Sequence, residues 1–469
     1  MRICTALVAL AAGSATVSAA QLAKLTPTDG AASDEFGIAV AIDGTTAVVG
    51  AWNDDDNGIS SGSAYLFDAA IGSQIMKLLP TDGVATAFFG GSVGVSGSTV
   101  IVGAANDDDL GFFSGSAYLF DTAGVQLDKL LPTDGADFDQ FGVAVAIDGT
   151  TAIAGSWNDD DNGDGSGSAY LFDTTSGTQT DKLLPTDGAA SDAFGASVGV
   201  SGTVAIIGAP GDDDNGAESG SAYLFDTTTG LQLFKLLPTD GAAGDQFGNA
   251  VAISGTVAIV GAPYDADSGA DSGAAYLFDT TTGLQITKLA PTDASAGKQF
   301  GASVAIDGGT VIVGAPYDAE LGSDAGAAYL FDSAGTQLDK LLADDGASGD
   351  GFGTGVAASG SYSLAGAPYN NAGAQDSGAA YLFGTASCAA DLTTQGAGVG
   401  DPGYGVPDGL VTAADLNYFV NAYVSADLAI ADITTQGAGV GDPGYGVPDG
   451  LVTAADLNYY VNLWVAGCP

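Results

Sequence analysis

The dipeptide Phe-Gly recurs at Phe36, Phe89, Phe141, Phe194, Phe247, Phe300 and Phe352, at steps of 53, 52, 53, 53, 53 and 52 residues. So steady a period means that one supersecondary unit is copied seven times, and a repeat architecture is the frame for everything else. Four strand-like pieces are visible in each unit. The first follows Phe-Gly and alternates small with branched residues (AVAIDG, SVGVSG). The second is TAVVGA or VAIVGAP, the third SAYLFD or AAYLFD, and the fourth a KLLP run such as Asp128 to Pro132. Gly, Asp, Ser, Thr and Pro punctuate them, which is turn chemistry. No long helical pattern interrupts residues 21–387.

Four short antiparallel strands per unit, seven times over, predict an all-β fold, a seven-bladed β-propeller. The chain ends agree with closure. The repeat region opens with a lone fourth-strand motif, Leu22 to Leu25, and the seventh unit stops after its third strand, Tyr381 to Phe383. If the first segment completes the last blade, an edge that would otherwise be exposed is paired. Gly37, Ala39, Gly50 and Ala51 are expected on innermost strands crowded about the axis. A parallel β-solenoid is the runner-up, but its rungs are usually shorter and it would not need staggered ends.

These residues resemble the FG-GAP repeat family, the blade type of integrin α-subunit heads and of many secreted bacterial proteins. The name is nearly spelled out by Phe194-Gly195 with Gly208-Ala209-Pro210, by Phe247-Gly248 with Gly261-Ala262-Pro263, and by Phe300-Gly301 with Gly314-Ala315-Pro316. The resemblance covers residues 21–387 and implies a propeller with frequent Ca²⁺ loops, but not by itself adhesion, since fold does not fix function.

The loop after each second strand carries acids two residues apart: Asp54/Asp56, Asp107/Asp109, Asp159/Asp161, Asp212/Asp214, Asp265/Asp267 and Asp318/Glu320. Hard cations take six to eight oxygens, and carboxylates on alternate residues of a tight loop point at one centre, so these pairs are expected to bind Ca²⁺. The likeness to integrin-type loops (D-x-D-x-D-G-x-x-D) is partial, and turn capping on an acidic surface is the competing reading. The seventh copy has Asn370 and Ala372, and its site is expected to be lost. The PTDG acids Asp82, Asp134, Asp187 and Asp240 read as turn residues.

Composition narrows the chemistry. The chain has 57 acids against nine basic residues, a net charge of −48, which repels nucleic acid and anionic membranes. Salt-rich surroundings are the plain cause of such a charge, because screening weakens self-repulsion. There is no histidine, and the one arginine is Arg2, so imidazole chemistry and guanidinium clamps are excluded. Residues 1–20 read as a signal peptide, with Arg2, an apolar run from Ile3 to Ala12 and a Ser18-Ala19-Ala20 cleavage region. No later stretch has the length of a membrane helix, so an exported, soluble protein is expected. Cys388 and Cys468 bracket the last segment; a disulfide between them suits an exported protein, and two free thiols are the alternative.

Residues 388–469 form a separate domain. Within it, 391–424 and 432–465 are near-copies offset by 41 residues. Leu416, Phe419, Val420 and Tyr423 have helical spacing, and before them DGLVTAAD matches the back half of an EF-hand-type loop. The segment is similar to a dockerin, and the flanking cysteines resemble those of Gly-Cys-ended dockerins in exported proteins of some aquatic bacteria. That resemblance implies Ca²⁺ held in each copy at loop position 1 (Asp391, Asp432), position 3 (Thr393, Thr434), position 5 (Asp408, Asp449), position 7 by backbone carbonyl (Leu410, Leu451), position 9 (Thr412, Thr453) and position 12 (Asp415, Asp456). The inserts 394–407 and 435–448 depart from the pattern and put positions 1 and 3 in question; Asp401 and Asp442 within them are possible substitutes. The implied partner is a cohesin-like domain or a cell-surface anchor.

The expected function is thus non-enzymatic: a secreted, calcium-binding propeller that recognises an extracellular protein or glycan and is anchored by its tail. Near-identical blades show no unique acid–base pair. The alternatives are a polysaccharide-degrading component of a dockerin–cohesin assembly, with Glu35, Glu218 and Glu320 as its least symmetric acids, and a structural matrix protein. Trp52, Trp157, Phe112, Phe113, Tyr264, Tyr317 and Tyr369 break the pattern and are the candidate ligand contacts, with packing between blades the other role open to them.

Overall fold

A computed structural model describes residues 19–384. The signal region up to residue 18 and the whole cassette 388–469, with its calcium-loop residues and cysteines, lie outside the described residues. Residues Gln21–Gly384 form one compact unit of seven four-stranded antiparallel sheets. Blade one is typical. Its strands are Val40–Asp43, Thr46–Ala51, Ser63–Asp68 and Ser73–Leu78, paired in sequence order. The last blade has Val356–Ser359, Tyr362–Ala367 and Ala379–Gly384, and its fourth strand is Ala20–Leu25. The two ends of the repeat region therefore share a sheet, as the staggered sequence predicts.

The core lies between successive blades. Val48, Leu66 and Leu78 of blade one pack with Phe89, Val100, Val102, Tyr118 and Phe120 of blade two. Leu364 and Leu382 of blade seven pack with Phe36, Val49, Tyr65 and Phe67 of blade one, so the circle closes with the same contact. Each Phe of Phe-Gly is fully buried or nearly so, and sits edge-on to the Tyr and Phe of its own blade's YLF strand; Phe36 lies 5.4 Å from Tyr65 and 5.7 Å from Phe67. Such pairs add roughly 0.5–1.5 kcal/mol beyond the area they bury.

The glycine of Phe-Gly sets how closely blades approach. A Cβ on Gly50 would fall 1.9 Å from the carbonyl oxygen of Gly90 in the next blade, and one on Gly366 would fall 1.8 Å from that of Gly37, across the closure. Gly37 itself has φ +100°. Gly50 and Ala51 thus lie on the second strand of the blade, not the innermost, and their smallness answers to the neighbouring blade's backbone instead of to crowding at the axis.

The axis is lined by the first strands. At the mouth where first and second strands turn, Asp43, Ser96, Asp148, Ser201, Ser254, Asp307 and Ser359 each accept a hydrogen bond from a glycine N–H of the adjoining blade, ending with Gly44 to Ser359 at 3.0 Å. The loops after the second strands and the connections leading into Phe-Gly emerge at the opposite end, which gathers the acidic loops and most pattern-breaking aromatics on one face.

Gly155, whose Cβ would meet the Gly195 oxygen at 1.9 Å, tests this packing. Gly155→Ala is expected to lose about 2–3 kcal/mol in denaturant unfolding. Gly309→Ala, where a Cβ meets nothing within 4 Å, is expected to stay within about 0.5 kcal/mol of the parent.

Candidate functional site

Each acidic loop is built by its own acids, and in blades one to four, where three aspartates stand in a row, the three do different work. In blade one Asp54 is buried, accepts from the Asp56 N–H at 3.1 Å, and offers its other oxygen to Ser63 at 3.0 Å and Tyr65 at 2.9 Å. Asp55 ties the loop by accepting from the Ser60 N–H at 2.7 Å. Asp56 is exposed and faces the outer strand.

What the carboxylates converge on is a lysine. Lys77, the Lys of blade one's fourth strand, lies 2.8 Å from Asp54, 2.7 Å from Asp56 and 2.9 Å from Asp29, the PTDG acid that leads into the blade. The same trio surrounds Lys129 (Asp82, Asp107, Asp109), Lys182 (Asp134, Asp159, Asp161), Lys235 (Asp187, Asp212, Asp214) and Lys288 (Asp240, Asp265, Asp267). Lys340 takes Asp293, Asp318 and Glu320, and Lys298 reaches Asp293 and Asp318 as a second cation in that blade. In blade seven Asn370 replaces the inner acid, and Lys24 is left with Asp345 at 2.6 Å and the Asn370 amide oxygen at 3.0 Å. The PTDG acids are therefore more than turn residues. Among the described residues, no set of three or more acids is arranged to hold a metal ion.

The ionisation of these groups follows from their surroundings. Burial pushes Asp212 up, but the Lys235 ammonium and the Tyr223 hydroxyl outweigh it and hold the carboxyl below its ordinary value. Asp29, Asp82, Asp134, Asp240 and Asp345 are lowered in the same way by their lysines. A second set moves oppositely. Asp139 caps the Ala136 N–H at 2.7 Å but has no cation of its own; burial, with the nearby Asp159 charge, pushes it up to about 6. Asp34, Asp192 and Asp245 shift up by burial too.

Above these clusters the seven copies diverge. The residue before Phe-Gly is Glu35, Phe88, Gln140, Ala193, Gln246, Gln299 or Gly351, and every one holds a left-handed φ between 51° and 66°. That conformation costs a non-glycine residue roughly 1–3 kcal/mol. It is held because the N–H bonds to the previous blade's acidic loop, as from Phe88 to the Ser60 oxygen at 3.2 Å and from Gln140 to the Phe113 oxygen at 3.0 Å. Two hollows open beside these positions. One, of about 220 Å³, spans blades one to three and is lined by Trp52, Phe88, Asn106 and Gln140 with a glycine floor. The other, of about 230 Å³, spans blades six and seven and is lined by Gln299, Tyr317, Asp324, Thr354 and Tyr369.

Trp52 leans on Phe88 with ring centres 5.3 Å apart and donates its indole N–H to Glu35 at 2.8 Å. Trp157 donates to Gln140 at 2.6 Å, and Phe112, Phe113 and Phe138 form a separate aromatic cluster with Phe112 and Phe138 half exposed. Tyr264 lines neither hollow. Phe88, Phe138 and Gln140 escape the sequence reading. The signal that exposes Phe88 and Gln140 is the variability of the position before Phe-Gly between otherwise uniform copies; Phe138 lies two residues before that position. The three odd glutamates sit in blades one, four and six with separate partners: Glu35 with Trp52 and Asn53, Glu218 with Gln246, and Glu320 with Lys340. The structure does not bring them together.

A family model described as the FG-GAP repeat matches residues 20–67, 73–120, 125–172, 178–225, 231–278, 284–331 and 336–383. No curated protein matches the chain.

The raised Asp139 gives a pH test. A carboxyl whose pKa is higher folded than unfolded adds stability in full below its unfolded value of about 3.9, and that contribution is lost as pH rises through the folded value. Asp139→Asn keeps an acceptor for Ala136 without the charge. It is expected to flatten the fall in stability between pH 4 and about 6 and to be the more stable chain at pH 7 by about 1–2 kcal/mol, read from denaturant curves across that range.

Proposed function

The chain belongs to the FG-GAP repeat family, and on that premise we propose that it is an exported, non-enzymatic recognition protein. The ring binds an extracellular protein or glycan on its acidic-loop face, and residues 388–469 anchor it to a cohesin-like or cell-surface partner. The observation that carries this reading is where the copies differ. The YLF strands are uniform, while the residues around the two hollows vary from blade to blade. A purely structural ring has no use for a Trp52–Phe88 wall opposite two side-chain amides. Flat aromatic faces beside amide donors suit the apolar face and hydroxyls of a sugar ring, or a side chain of a protein partner. The hollows are fastened by backbone bonds between blades, which favours binding with little ordering of the site.

In the anchoring segment, Ca²⁺ would be held by Asp391, Thr393, Asp408, Leu410, Thr412 and Asp415 and by Asp432, Thr434, Asp449, Leu451, Thr453 and Asp456, oxygen donors suited to a hard cation. Glycan and extracellular-protein arrays probed with the whole chain test the reading. Binding is expected, and Trp52→Ala combined with Gln140→Ala, or Tyr317→Ala with Tyr369→Ala, should weaken it at least tenfold. Binding untouched by both pairs would remove the loop face as the site. Release of reducing sugar, lost in Glu218→Gln, would point to the enzymatic alternative.

A further inference from the structure

The repeat family leads one to expect calcium in the acidic loops, but the residues present do not leave the centre of those loops to a metal. An ammonium has three N–H donors. In blades one to six it finds carboxylates from two separate segments: one from the loop entering the blade, and two, spaced two residues apart, from the loop after the second strand. The distances in blade four, 2.8, 2.8 and 2.7 Å, are those of charge-assisted hydrogen bonds. The inner acid is fully committed. Asp212 also accepts from the Tyr223 hydroxyl at 2.8 Å and from the Asp214 N–H at 3.1 Å, and its side chain is only 5% exposed. The lysine stem lies along the tyrosine, with its nitrogen 5.2 Å from the Tyr223 ring centre, a cation–π contact. Every lysine of the described residues is paired with at least one of these loop acids, in a chain with 57 acids.

We propose that in blades one to six the cation of the acidic loop is the chain's own lysine, and that the ring folds and holds its loops without a divalent metal. A calcium ion would have to expel an ammonium already bonded to the same oxygens. The lysine does what a metal would do, pinning the loop, the incoming connection and the outer strand to one another, but it is supplied by the fold itself.

The test uses the whole chain. Backbone hydrogen exchange is followed in the YLF strands, residues 63–68 and their equivalents, in excess Ca²⁺ and in excess chelator, and bound calcium is counted by equilibrium dialysis. Protection within twofold in the two conditions, with no more than two ions per chain, is expected. More than two ions per chain, or tenfold faster exchange in chelator, would overturn the proposal. Lys235→Met in chelator should expose residues 221–226 to exchange at least tenfold faster than the parent. A variant protected like the parent would also overturn it. Should that variant fail to fold, the measurements on the parent chain decide.

Discussion

Everything in this ring depends on backbone meeting backbone where one blade touches the next. Gly50 lies against Gly90, Gly155 against Gly195 and Gly366 against Gly37, at separations that leave no room for a Cβ. That approach fixes the spacing of the sheets. It buries each Phe of Phe-Gly under the Tyr and Phe of its own blade, and it lets the left-handed residue before Phe-Gly bond to the previous blade's loop. Overpacking at one such contact costs roughly as much as a buried side chain contributes, so the glycines are as much a part of the core as the aromatics. The contact across the closure is the same as any other, which is why the ring needs no special seam beyond the shared last sheet.

On this frame the electrostatics are local and ordered. An excess of acid would drive the loop face apart if the carboxylates were left to themselves. The lysines are few, and they are placed where the carboxylates are densest. Two groups of aspartates result, with opposite pH behaviour. Asp29, Asp82, Asp134, Asp212, Asp240 and Asp345, each on a lysine, are lowered and stabilise the fold above the ordinary carboxylate range, an effect lost as pH falls below it. Asp34, Asp139, Asp192 and Asp245, which cap the entry loops, are raised and work the other way. The loop face is thereby tied together by ion pairs within each blade and backbone bonds between blades, and the two hollows lie within it.

Much of the fold was legible because a repeat announces itself. The Phe-Gly period, the four strand motifs per unit and the staggered ends all follow from the hydrophobic pattern and the need to pair an edge. The hollows were half legible. Trp52, Tyr317 and Tyr369 stand out by type, while Phe88 hides beside the invariant Phe89 and Gln140 is an ordinary polar residue until its neighbours are known. The lysine at the centre of the acidic loops was not legible, for a physical reason. Carboxylates on alternate residues of a turn look the same whether they face a calcium ion or an ammonium, and Lys77 is 23 residues from Asp54 and 48 from Asp29. Only its recurrence in every KL motif hinted that it had a fixed partner.

The amino-acid sequence by itself determined the number of blades, the order of strands, the closure of the last sheet and the placing of uniform and variable positions, since these follow from period, pattern and turn chemistry along the chain. The tertiary structure decided which lysine meets the acids of each loop, which glycines hold blades together and which variable residues share a hollow. Those outcomes rest on contacts between segments far apart in the chain or in different blades, and neither spacing nor composition encodes a distance in space.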